Sequence, residues 1–203
     1  CEEDIPFIID CISEDLKKTK EFWITAVSNS LYMLKNAPMI YRQDKEVVLS
    51  AVWYHGELVE FADESLRNDP DIFLAAISQI KNRRGFCDPD VIMHLLPQKL
   101  IYDKEFLQRA IGVYPFIIRH VSLDINSDRE FMLEAIKKSC GWIIQYAAPE
   151  LKSDRQFIVE AAILNQDILR WLPENFKDDK ELFELLRKKG IEPDITFSDD
   201  LPF

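Results

Sequence analysis

The chain has 203 residues, 47% hydrophobic and 11% aromatic, with a formal net charge of −11 and an isoelectric point near 4.8. That composition belongs to a folded protein. It weighs against DNA or RNA as partner, because phosphate binders need clustered Lys and Arg. No apolar run approaches the roughly 18–20 residues of a bilayer span, so no membrane insertion is expected.

The acidic start CEEDIPFIID lacks the basic region of a signal peptide, and the chain opens on Cys rather than Met. An excised fragment is the expectation. Residues 7–18 (FIIDCISEDLKK) align with residues 142–153 (WIIQYAAPELKS) and read as the second half of a unit. From there one phrase recurs: TKEFWITAV from Thr19, DKEVVLSAV from Asp44, DPDIFLAAI from Asp69 and DKEFLQRAI from Asp103. It returns as DREFMLEAI from Asp128, DRQFIVEAA from Asp154 and DKELFELLR from Asp179. The spacings are 25, 25, 34, 25, 26 and 25 residues. A fixed period of this size is the mark of a stacked repeat, so the predicted fold is an all-α solenoid of about seven short helix-turn-helix repeats.

Each unit predicts a helix of about ten residues, a tight turn and a shorter second helix. In the copy from Asp128, Phe131, Met132, Ala135 and Ile136 fall on one helical stripe, and Arg129, Glu130, Glu134 and Lys137 on the other side. The opening Asp is predicted to cap the first turn, and the acid two places on to favour the positive helix end. Seven places after the opener stands Ala26, Ala51, Ala76, Ala110, Ala135 or Ala161, replaced by Leu186 in the last copy. A small residue there suggests close helix approach. Gly56, Gly112 and Gly141 are read as the break between the helices, and Pro38, Pro97, Pro149 and Pro173 as stops for the second helix.

The copy from Asp69 departs from the rule, with KNRRGFCDP inserted at 81–89. Insertions in such arrays form loops on one face, often a binding face. Arg83, Arg84 and Phe86 are therefore the candidate binding residues, suited to an acidic partner segment. The array is expected to run over 1–190, with partial repeats at both ends, and 191–203, IEPDITFSDDLPF, which lacks periodicity, to form an acidic tail or linker.

Catalytic chemistry is not apparent. HExxH, GxSxG, GxGxxG, Walker and EF-hand phrases do not occur. Cys1, Cys11, Cys87 and Cys140 form no CxxC pair and read as reduced, partly buried thiols rather than a disulfide framework or zinc site. No cofactor and no metal are expected. His55, His94 and His120 occupy unrelated positions. Trp53, Tyr54, Tyr114 and Trp171 are expected to fill the core, with binding anchors as the other reading.

The phrase D-[KR]-E-[FV]-x-x-x-A-[VI], recurring from Thr19 to Gly190 with an apolar second half ending in L-[KR]-[SN]-D, resembles domain-of-unknown-function family 4116. The resemblance implies a role in a larger, perhaps secreted effector protein, and brings with it no activity and no catalytic residues. The expected function is a non-enzymatic protein-interaction or scaffold module that holds a protein partner or another domain of its parent. An accessory domain of an enzyme, with a site built between repeats, is the alternative. The expected location is the cytoplasm, or a host cytosol if the parent is a translocated effector.

Overall fold

The computed structural model describes residues 9–30, 32–82 and 88–192, without the side chains of Lys81 and Asn82. Among the described residues every regular element is helical, and no helix is long and apolar enough to cross a membrane. The phrases open helices α1 (Lys20–Asn29), α2 (Lys45–Val52), α3 (Pro70–Asn82), α4 (Lys104–Val113), α5 (Arg129–Lys138), α6 (Arg155–Leu164) and α7 (Lys180–Lys188).

The openers do what the sequence predicts. Asp44 accepts from the amides of Glu46 and Val47 at 3.0 and 3.2 Å, and Asp69 from Asp71 at 2.8 Å. Asp103, Asp128, Asp154 and Asp179 accept from Phe106, Phe131, Gln156 and Leu182 at 2.9–3.0 Å. Each such bond satisfies an amide that the helix itself leaves unpaired. Thr19 is the exception: its hydroxyl turns back to donate to the Leu16 carbonyl at 2.7 Å and caps nothing.

The apolar stripe is buried as its period requires. Val47, Val48, Ala51 and Val52 on α2 are fully enclosed, and so are Phe157, Ile158, Ala161 and Ala162 on α6. The small residue at the eighth place is buried in copies two to six, while Ala26 is half-buried.

The second half of a unit differs from the predicted single helix. In copies two, four and five it consists of a 3₁₀ helix followed by one turn of α-helix, as in Gly56–Phe61 with Glu64–Arg67 and Gly141–Tyr146 with Pro149–Lys152. Copies one and three have two short α-helices, Met33–Asn36 with Met39–Arg42 and Pro89–His94 with Gln98–Ile101, and copy six two 3₁₀ helices, Gln166–Trp171 with Glu174–Phe176. Between the two pieces an extended residue intervenes: Ala37, Ala62, Val121, Ala147 or Leu172, with ψ between 138 and 158°. Pro38 and Pro173 are N-caps of the next turn and Pro149 is its first residue. These prolines thus open a turn, where the missing amide costs nothing, and hold the preceding residue extended. The 3₁₀ helices bury their third and fourth residues, Leu58 and Val59, Ile117 and Ile118, Ile143 and Ile144, Ile168 and Leu169.

The glycines divide. Gly112 lies inside α4 and marks no break. Gly56 and Gly141 each open a 3₁₀ helix. A Cβ on Gly56 would lie 2.5 Å from the Ala76 carbonyl oxygen, and one on Gly141 2.3 Å from the Asp167 backbone. Both positions let the next copy's backbone pass without a side chain between.

The chain divides into two compact units, Cys1–Leu100 and Ile101–Phe203. In the first, α1 packs on α2 and α2 on α3; in the second, α4, α5, α6 and α7 pack each on the next. The 3₁₀ helices of the second unit pack likewise, Pro115–His120 against Gly141–Tyr146 and that against Gln166–Trp171. One backbone bond recurs in both units between consecutive short turns: the Asp63 amide donates to Arg42, and the Ala148 amide to Asn126, each at 3.0 Å.

Candidate interaction surface

The sequence explains the Asp and the acid two places on, but assigns nothing to the cation between them. The structure gives that cation a partner in the following copy. Lys20 Nζ lies 2.8 Å from both Asp44 and Glu46, and Lys45 Nζ 2.8 and 3.1 Å from Asp69 and Asp71. Lys104 pairs with Asp128. Arg155 reaches Asp179 at 2.8 Å and Glu181 at 2.9 Å. Arg129 pairs with Asp154 at 2.6 Å but finds neutral Gln156 at the second position, and takes Glu160 at 2.9 Å instead. Copy three has Pro70 in place of the cation, so the ladder has no rung there.

The carboxylates respond. Lys104 and the Phe131 amide hold Asp128 below the ordinary carboxylate value, and the Leu182 amide and Arg155 do the same for Asp179. Burial pushes Asp44 and Asp154 upward, yet Lys20, Arg129 and the first-turn amides outweigh it and hold both low. Exposed pairs of this kind contribute about 0–1 kcal/mol each.

Outside core and ladder lie the grooves between successive opening helices. The groove between α1 and α2, about 370 Å³, is lined by Leu49, Trp53, Tyr54 and Ser28. That between α4 and α5, about 260 Å³, is polar, with Gln108, Glu130, Glu134 and Lys138. The groove between α6 and α7, about 420 Å³, has Val159, Ile163 and Leu185 at its centre, with Arg155, Glu160 and Lys189 around them.

Copies that agree in core and cap disagree here. The sixth, seventh, tenth and eleventh residues of the phrase are Leu49, Ser50, Trp53 and Tyr54 in copy two, but Leu133, Glu134, Lys137 and Lys138 in copy five. In copy six they are Val159, Glu160, Ile163 and Leu164. Large apolar side chains at these places stand in solvent: Trp53 is 59% exposed, Tyr54 51%, Ile163 52% and Leu164 40%.

Several sequence expectations change at this point. Trp53 and Tyr54 do not fill the core, because they sit past the buried stripe on the outer side of α2's end; Tyr114 and Trp171 are half-buried. Cys11 and Cys140 are exposed rather than partly buried, since neither falls on a stripe that packs. His94 is exposed with Nδ1 2.6 Å from the Asp90 carbonyl, and His55 is half-buried. No group of three His, Cys, Asp or Glu side chains among the described residues is arranged to hold a metal ion. Arg83, Arg84 and Phe86, with most of the insertion, lie outside the described residues, as does 193–203.

Within each of the two compact units, recurring helical copies are tied to the next by a cation on a capped carboxylate, and the described residues are all-helical. The family model described as Domain of unknown function (DUF4116) matches residues 44–90 and 128–177, which supports assignment of the chain to that family. Each match takes in copies that carry the Asp cap, two and three in the first segment, five and six in the second. No curated protein and no solved structure matches the chain.

Proposed function

We propose that this chain is an α-solenoid of about seven copies that acts as a non-enzymatic protein-interaction module within a larger protein. The observation that carries the reading is the contrast between constant and varied positions. Cap, ladder and core recur from copy to copy, while the groove positions between opening helices change in size and charge and expose Trp53, Tyr54, Ile163 and Leu164. Large apolar side chains left in solvent, in a repeating frame, suit recognition of a protein surface. Aromatic anchors are the residue types that dominate such contacts. Neighbour-on-neighbour packing of α1–α3 and of α4–α7 supports the stacked arrangement.

The test is direct binding of a purified partner, identified by cross-linking to the parent protein, to the chain and to its groove variants. Trp53→Ala with Tyr54→Ala, or Ile163→Asp, is expected to weaken binding without altering the melting temperature. Equal affinity for every variant, or substrate turnover by the isolated chain, would overturn the proposal.

A further inference from the structure

The first and last copies uncover different residues of the same phrase. In copies two to six the fourth, fifth, eighth and ninth residues are all buried, none of them more than 4% exposed. In copy one the fifth and ninth, Trp23 and Val27, are also fully buried, but the fourth and eighth, Phe22 and Ala26, are half-buried. Copy seven inverts the pattern. Its fourth and eighth residues, Leu182 and Leu186, are fully buried, while the fifth, Phe183, is half-buried and the ninth, Arg187, is exposed. The fourth and eighth places therefore pack toward the preceding copy, and the fifth and ninth toward the following one.

The edge of α1 is that of an internal helix with its neighbour missing. Phe22 and Ala26 keep the apolar types that copies two to six bury at these places. Part of a preceding unit is already present, because the turn Glu14–Lys17 packs on α1 and the Trp23 indole donates to the Lys17 carbonyl at 2.8 Å. What α1 lacks is the opening helix of that unit. Charge extends the match. The third-place acid receives the cation of the preceding copy at Glu46, Asp71 and Glu181. Glu21 holds this place in copy one, is exposed, and makes no ion pair among the described residues.

We propose that the uncovered edge of α1 docks the opening helix of a further copy of this repeat, supplied by the larger protein. That helix sets its fifth and ninth side chains against Phe22 and Ala26 and its second-place Lys or Arg on Glu21. The contact continues the one that α1 itself makes with α2. Apolar burial supplies affinity, and the cation selects the helix and its register. The α7 of a second copy of this chain is the poorer occupant, because Arg187 would carry its charge into the packed ninth place.

The assignment rests on the stacked-array reading and not on any partner of the grooves, so the two can fail separately. The probe is a peptide of residues 128–138, with Arg129, Met132 and Ile136 at the second, fifth and ninth places. It is stapled through its outer residues Glu130 and Glu134, since an isolated helix of this length is marginal in water. Fluorescence anisotropy is expected to show saturable binding to the full chain. Phe22→Asp should weaken it at least about tenfold, as loss of an interface anchor does. Glu21→Lys should weaken it about fivefold, and a peptide with Arg129→Glu should regain that loss on the Glu21→Lys chain. Because Glu21 is exposed, this charge exchange reads the contact even where Phe22→Asp lowers the melting temperature.

Absence of binding, or equal binding to the native, Phe22→Asp and Glu21→Lys chains, overturns the assignment. The Trp53, Tyr54 and Ile163 variants would then still report on the interaction module. Tighter binding of a stapled peptide of residues 179–189, or self-association of the chain that Phe22→Asp abolishes, would seat α7 of a second copy on this edge and overturn the assignment. Binding that emerges only after residues 1–8 are deleted would seat that segment there, with the same consequence.

Discussion

Ala135 and Lys137 stand two places apart on α5 and meet opposite surroundings. Ala135 has no exposed surface and lies on the stripe that α5 presents to its neighbours, whereas Lys137 is exposed. Adding the bulk of Leu at a buried close-packed site costs about 1–3 kcal/mol, since neighbours must leave their preferred rotamers. Ala135→Leu is therefore expected to lower stability by that amount in urea unfolding. Lys137→Ala should change it by under about 0.5 kcal/mol, as surface substitutions do. Equal unfolding midpoints would contradict the assigned faces. This contrast was legible from the 3.6-residue period alone. The exposure of Trp53 and Tyr54 was not, because residues just past a buried stripe can turn either way, and only the width of the neighbouring copy decides.

At the scale of one helix, the opening Asp has two tasks. It caps its own helix, and it receives the cation of the preceding copy. Asp128→Ala removes both, and cap loss alone costs about 0.5–2 kcal/mol. Asp128→Asn should retain much of the cap while losing the charge pair, so the difference between Asp128→Asn and the native chain isolates the ladder. The same carboxylates set an acid limit. Asp44, Asp128, Asp154 and Asp179 are all held below the ordinary carboxylate range in the folded chain. The unfolded chain therefore binds protons first as pH falls. Their stabilisation is complete above the ordinary Asp range and disappears as pH drops through the folded-state values. Urea midpoints measured from pH 6 downward should fall below about pH 4, and less steeply for Asp128→Asn, which has one depressed carboxylate fewer. A midpoint independent of pH in that range would refute the ladder's electrostatic role.

At the scale of the whole molecule, the proposed solenoid makes a prediction about size. A compact single globule of 203 residues would have a radius of gyration of about 17 Å. The proposed array of about seven copies is expected to exceed that clearly in small-angle X-ray scattering. A value at the compact limit would refute the solenoid.

The repeat, its period and its first helices were readable because they depend on residues within one turn or two of each other. The second half of the unit was misjudged as one helix for a local reason as well. An apolar patch such as Trp142, Ile143 and Ile144 followed by Pro149 does not distinguish a stopped α-helix from a 3₁₀ helix and a new turn. Gly112 was misread for a related reason: a glycine marks a break only where backbone must pass close by. Gly141 meets that condition against Asp167, and Gly112 meets nothing within 4 Å. The candidate residues Arg83, Arg84 and Phe86 lie outside the described residues, and the grooves came to light elsewhere.

By itself, then, the sequence determined the helical class, the caps and the buried stripe, since hydrogen-bond capping and burial periodicity are encoded over a few residues. Tertiary structure alone decided that the Lys or Arg after the cap in copies one, two, four, five and six answers a carboxylate of the next copy, and which outer side chains remain in water. Both depend on atoms about 25 residues away that approach only when one copy packs on another.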